Sequence, residues 1–300
     1  MLVPWFQLFH RGNTKGDWTT VTLPWQEKIV SASTQKGHHR LVPWRVCREA
    51  AREAGIPARE AELWACENGI CPSRYERSLG TLGLAGQARL LASRAAVIGC
   101  GGLGGWIVEI LARAGVGEIV VVDGDVFGDS NLNRQSLSRE DNIGAAKALE
   151  ARKRVEAVNG AVEVTAWDLF LTADNAPGIL EGCRVAVDAL DSNEARATLL
   201  SACRGLGIPM IHGAIGGFWG QACVILPGDR APWELAMGGG KGVEDITGNP
   251  PFTPAFVASL EAAETIRLLS GVGKPLASML WCDLKEHEYC KIDLKERQNR

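Results

Sequence analysis

The chain has 300 residues, 46% of them hydrophobic and 35 of them glycine, enough for one large α/β core with an appendage rather than two equal domains. A net charge of −3 offers no basic field for nucleic acid, and no apolar run approaches the roughly 20 residues that cross a bilayer. Nine cysteines, an odd number without C-x-x-C spacing, point to reduced thiols and, with an amino end too short for a signal peptide, to a cytoplasmic protein.

Residues 1–40 scatter Trp5, Trp18 and Trp25 among Gly, Thr, Ser, Gln and His without a sustained period, which predicts a poorly ordered extension. Residues 41–72 read as a short helical appendage. Its two helices cover 44–55 and 58–68, separated by Gly55-Ile-Pro57 and stopped by Gly69 and Pro72. The remainder, 73–300, forms one nucleotide-binding domain.

That domain opens with a helical segment over 74–93 and a buried strand over 95–98, which feeds the run Gly99-Cys-Gly-Gly-Leu-Gly104 and a helix through Ala114. A second buried strand over 119–122 ends at Asp123. Then follow a helix over 144–158, a strand over 162–166, a helix over 174–180, a strand over 185–187, a helix over 193–204 and a strand over 209–211. Strands and helices alternating on short connections predict a doubly wound, mainly parallel, Rossmann-like sheet. After His212 come the glycine-rich stretch 213–220, a strand over 221–226, a Gly/Pro-rich stretch over 227–254, a helix over 255–269 and a closing antiparallel strand pair within 279–294.

Gly99, Gly101, Gly102 and Gly104 place backbone N–H groups and a helix dipole against an anion, which suits NAD, FAD and ATP alike. Asp123, at the end of the next strand, stands where an acid meets a ribose hydroxyl. The stretch from Asp123 to Lys147 separates the ligands: a triphosphate about to be split needs side-chain cations, and Arg134 and Lys147 supply them.

Arg74-Tyr-Glu-Arg77, the Gly99 run, Asp123 with Ser130-Asn-Leu-Asn-Arg-Gln135, Lys147 and Asp188-Ala-Leu-Asp191 together resemble, in that order and over roughly 73–294, the MoeB/ThiF/HesA adenylyltransferases, relatives of the ubiquitin-activating enzymes. The resemblance implies ATP and Mg2+ as cofactors and a small ubiquitin-like sulfur-carrier protein with a Gly-Gly tail as partner. Its C-terminal carboxylate would attack the α-phosphorus to give an acyl adenylate and pyrophosphate. The resemblance further implies that Asp123 binds ribose, Asn131, Arg134 and Lys147 bind phosphates, and Asp191 ligates the metal. Arg77 would reach across a homodimer interface to the partner's triphosphate. The glycines of 213–220 either line a channel for the tail or form turns around an antiparallel strand.

Many relatives hold a structural zinc with two C-x-x-C pairs, but 227–270 contains no cysteine, so no zinc is expected. Cys223 reads as a strand residue, and adenylation is expected without covalent transfer to this chain. His10, His38, His39, His212 and His287 lack ligand spacing and receive no chemistry. Three other readings remain at this stage: a dehydratase that activates a carboxylate on a tRNA base, an NAD-dependent oxidoreductase that leaves Arg134 and Lys147 unexplained, and a non-catalytic nucleotide or carrier binder.

Overall fold

The computed structural model describes residues 22–235 and 247–294. Its appendage is α1 (Pro24–Ala32), β1 (Thr34–Lys36), β2 (His39–Val42), α2 (Trp44–Ala54), α3 (Ala58–Glu67) and β3 (Ile70–Pro72). The three strands form a small sheet in the order β1-β2-β3, the first pair antiparallel around Gly37 and the second parallel.

Where the sequence predicted a poorly ordered extension, residues 24–42 therefore carry a helix and a hairpin. The cause is long-range packing: Trp25 meets Trp64 edge to face at 5.3 Å, and Ile29 is fully buried with Val42, Cys47, Ala50 and Ala61. A local period cannot register such contacts. Trp5 and Trp18 lie outside the described residues.

A 3-10 segment, Ser73–Ser78, joins the appendage to the large domain. Here Tyr75 donates its hydroxyl to buried Glu62 at 2.8 Å and accepts from Asn159 Nδ2 at 3.0 Å, while Arg74 contacts both Glu62 and Asn159. The anticipated helix over 74–93 is thus 3-10 at its start, then α4 (Leu79–Leu91), broken at Gly83, where φ is 62°.

The large domain runs β4 (Arg94–Ile98), α5 (Gly104–Ala114), β5 (Glu118–Val122), α6 (Lys147–Val158), β6 (Glu163–Trp167), α7 (Ala176–Leu180), β7 (Val185–Asp188), α8 (Asn193–Leu206), β8 (Met210–Gly216), β9 (Trp219–Ile225), α9 (Pro232–Leu235), α10 (Phe252–Ser270), β10 (Met279–Asp283) and β11 (Glu288–Ile292). One sheet holds these eight strands in the order β11-β10-β9-β8-β7-β4-β5-β6. The run from β6 to β8 is parallel and the rest antiparallel, as the alternation predicted.

Both faces are covered, so the central strands are apolar without alternation. Val97, Val121, Val187 and Ile211 meet α5 and α10 on one side, and Ile98, Val122, Ala186 and Met210 meet the α7–α8 side on the other. From β4 the chain winds outward through β5 to β6, then returns to place β7 on the opposite side of β4. That reversal opens a crevice at the carboxyl ends of β4, β5 and β7.

Candidate nucleotide-binding cleft

The carboxyl ends of three strands, β4, β5 and β7, meet in the crevice. At Gly99, φ is +97°, and a Cβ there would lie 2.5 Å from the Ala189 carbonyl oxygen; at Gly104 a Cβ would lie 1.8 Å from the Gly99 oxygen. Only glycine lets the β4–α5 turn fold this tightly against the end of β7. The resulting cleft of about 300 Å³ is lined by Gly99, Gly101, Gly102, Asp123, Arg134, Lys147 and Asp191. Sequence reasoning had named all seven. Gly104 is absent from the lining and serves the close approach of helix and strand.

Asp123 accepts N–H groups from Cys100 at 2.7 Å and Asp125 at 2.8 Å. Burial pushes its carboxyl above the usual range, against the two backbone donors and the Lys147 charge, which pull it down. Lys147 begins α6, later than the predicted helix start at 144, because Gly144 turns at φ +85° and Lys147 N–H is taken by the Asp125 carbonyl. Its ammonium is buried and pairs with Asp125 at 3.0 Å. Arg134 donates through Nη1 to Ser130 O and Asn133 Oδ1, and among the described residues no carboxylate neutralises it.

One expected binder lies elsewhere. Asn131 does not line the cleft: its Oδ1 accepts the Gly128 N–H at 3.0 Å and closes the turn that carries Arg134. Arg77 is exposed on the 3-10 segment and does not reach the cleft of its own chain. Glycines 213, 216, 217 and 220 do not form a channel wall either. Cβ atoms on them would strike Glu261, Trp219, Thr247 and Val257, so they serve packing and the β8–β9 turn, while Ala214 and Ile215 face the cleft.

The sequence reading missed Arg196, Asn249 and the wall Leu169–Leu171. Arg196 lies in the first turn of α8, just after Asp191, a position that could have marked it. Asn249 arrives through long-range tethers: Asn133 Nδ2 donates to its carbonyl at 3.1 Å, and Gly217 N–H donates to Gly248 O at 2.8 Å. Gln135, quoted but given no role, is also in the lining. Gln135 Oε1 and Asn249 Oδ1 are buried there and, among the described residues, have no hydrogen-bond partner, as acceptors awaiting a donor do.

Among the described lining residues Arg134, Lys147 and Arg196 balance Asp123, Asp125 and Asp191, so these give the cleft no formal excess of positive charge. A polyanion bound there needs further cations besides the glycine-turn N–H groups. Among the described residues, Asp191 is exposed with no ion pair, and no group of three or more His, Cys, Asp or Glu gathers to hold a metal by itself. A single free carboxylate fits a hard divalent ion that takes its other oxygens from phosphates and water. The cysteines offer no nucleophile to the cleft; burial pushes the Cys223 thiol up to about 12. Among the described residues, no helix is long and apolar enough to cross a membrane.

The ThiF family profile matches residues 75–300. The chain is 38% identical over 214 residues to the SAMP-activating enzyme E1 of Haloferax volcanii, covering 69% of this chain and 79% of that protein. It is 36% identical over 241 residues to the sulfur carrier protein adenylyltransferase of Thermus thermophilus, covering 74% and 87%. Among solved structures, E. coli MccB superposes with a TM-score of 0.63 over 83% of this chain and 82% of its own, at 21% identity, a likeness of fold.

Proposed function

Because this chain belongs to the ThiF family, we propose that it is an ATP-dependent adenylyltransferase which activates the C-terminal carboxylate of a small ubiquitin-like sulfur-carrier protein. The observation that carries this reading is the meeting of the glycine turn, Asp123, Arg134, Lys147 and Asp191 in one cleft. A dinucleotide oxidoreductase has no use for the two cations or for Asp191.

The carboxylate is ionised at pH 7 and needs no general base. An oxygen of the tail forms the new bond to the α-phosphorus, the bond to the bridging oxygen of the β-phosphate breaks, and pyrophosphate leaves with that electron pair. The obstacle is bringing one anion to another, so the protein's part is placement and charge. Asp123 receives the ribose hydroxyls. Arg134, whose Nη1 is already used to fix its own turn, would turn the rest of its fork to the phosphates, and Lys147 would add its charge beside them. Ala214, Ile215 and Asn249 form the side along which a slender tail enters.

Asp191 would hold Mg2+ together with phosphate oxygens and waters, and that ion when bound supplies the neutralisation the balanced cleft lacks. Arg77, exposed and remote from its own cleft, serves the second site of a homodimer in this reading. The test is ATP–pyrophosphate exchange with purified protein and a panel of carriers ending in Gly-Gly. Exchange dependent on one carrier is expected; none with any cognate carrier would overturn the reading.

A further inference from the structure

His212 receives no role in the chemistry above, yet it is 1% exposed beside a fully buried carboxylate at the edge of the cleft. The parallel register of β7 and β8 sets Asp188 opposite His212. Their side chains meet at 2.7 Å, Nδ1 to Oδ2, and the indole of Trp233 packs edge-on against the imidazole at 4.8 Å. Gln221 Nε2, a donor, faces His212 Nε2 at 3.3 Å, which leaves the imidazole proton on Nδ1 for Asp188.

The other contacts of Asp188 lead to the turn that carries Asp191. Its Oδ1 accepts the Leu190 N–H at 3.0 Å, and its Oδ2 lies 3.5 Å from Arg196 Nε. Arg196 in turn donates through Nη2 to Leu190 O at 2.6 Å and through Nη1 to Asn193 Oδ1 at 3.2 Å. Asp188 and Arg196 thus hold the N–H and the C=O of Leu190, the residue before Asp191, and Arg196 also ties down Asn193 beyond it. His212 is the closest partner of the carboxylate at the base of this chain. Loss of His212 would leave Arg196 Nε as the nearest cationic partner of Asp188, and a guanidinium drawn toward that carboxylate would weaken its bond to Leu190 O.

We propose that His212 is a positioning residue for the cation site: acting through Asp188 and Arg196, it fixes the turn that presents the Asp191 carboxylate. This rests on the proposed function, in which Asp191 holds Mg2+ on ATP. The role differs from a packing role because it acts on the metal-dependent part of nucleotide binding. Partners that orient a metal ligand are typically worth about 10- to 100-fold in metal affinity.

Calorimetric titration of the full chain with ATP, in Mg2+ and in EDTA, separates the two parts. The unmodified protein gains affinity from Mg2+, and Asp191→Asn loses that gain. In His212→Leu the gain falls by about tenfold or more, while affinity for metal-free ATP changes little; the thermal midpoint drops in this variant, because buried Asp188 is left short of a partner. His212→Asn, whose amide nitrogen stands where Nδ1 stood, recovers the gain. Should His212→Leu fail to fold, His212→Gln reads the same quantity, since its amide stands near the Nε2 position, facing Gln221, and leaves Asp188 without the Nδ1 donor. An undiminished Mg2+ gain in these variants, or an equal loss of metal-free affinity, overturns the inference alone. Absence of any ATP binding by the unmodified protein overturns the proposed function and this inference with it.

Discussion

Glu261 offers a test that needs no carrier protein. It lies on α10 beneath β8, fully buried, and among the described residues neither carboxyl oxygen has a hydrogen-bond partner. A Cβ on Gly213 would sit 2.4 Å from its carboxyl, so the side chain has no room to move toward the sheet. Burial pushes its pKa well above the usual carboxylate range, the nearby Asp188 charge adds to the rise, and Arg196 opposes it.

The sign of the linkage follows. Above the unfolded value of about 4.3 the unfolded chain releases this proton while the folded chain keeps it, so stability falls by about 1.4 kcal/mol per pH unit until the folded pKa is reached. Glu261→Gln removes the titration and keeps the shape. From about pH 5.5 upward, the stability of Glu261→Gln relative to the unmodified protein should therefore rise with pH, by up to about 1.4 kcal/mol per unit, until Glu261 itself ionises in the folded chain. Urea unfolding at closely spaced pH values measures the difference, and other titrating groups cancel between the two proteins. A difference that stays constant with pH would refute the assignment of a proton to this side chain.

Arg134→Ala should lower pyrophosphate exchange by about 100-fold or more, the usual loss when one donor to developing charge is removed; a rate within a few-fold would remove Arg134 from the phosphate site. Tyr75→Phe leaves buried Glu62 and Asn159 each short of a partner, and should cost about 1–3 kcal/mol by denaturant unfolding; no change in midpoint would show that this joint carries no stability. Gly104→Ala forces a Cβ to within 1.8 Å of the Gly99 oxygen, and should weaken ATP binding measured by calorimetry through displacement of the glycine turn; unchanged affinity would show that the turn adapts. Mixed dimers of Arg77→Ala and Asp191→Ala protomers should recover part of the exchange rate that each homodimer lacks. No recovery in verified mixed dimers would count against a site shared between subunits.

The alternation that revealed the large sheet was legible because both faces of its parallel strands are buried, so runs such as Ile119–Val122 are apolar throughout. Cleft residues close to a glycine turn or a strand end, namely Gly99, Asp123 and Asp191, were legible for the same reason: doubly wound topology fixes where strand ends go. Arg134 and Lys147 came from a dense local pattern whose chemistry has few other uses. The hairpin in the appendage was not legible, since Trp25 and Ile29 find their partners, Trp64 and Val42, only in three dimensions.

Sequence by itself therefore determined the fold class and named residues that meet in one cleft, Arg134 and Lys147 among them, because each is written in local periodicity or in residues near one another along the chain. Tertiary structure decided which of those residues line the cleft. It turned Asn131 and Gly104 into supports, placed Arg77 away from its own cleft, and brought Asn249 in through tethers to Asn133 and Gly217. It also joined His212 to the Asp191 turn across two strands distant in sequence. Side-chain direction and strand register are properties of the packed sheet, and no spacing along the chain encodes them.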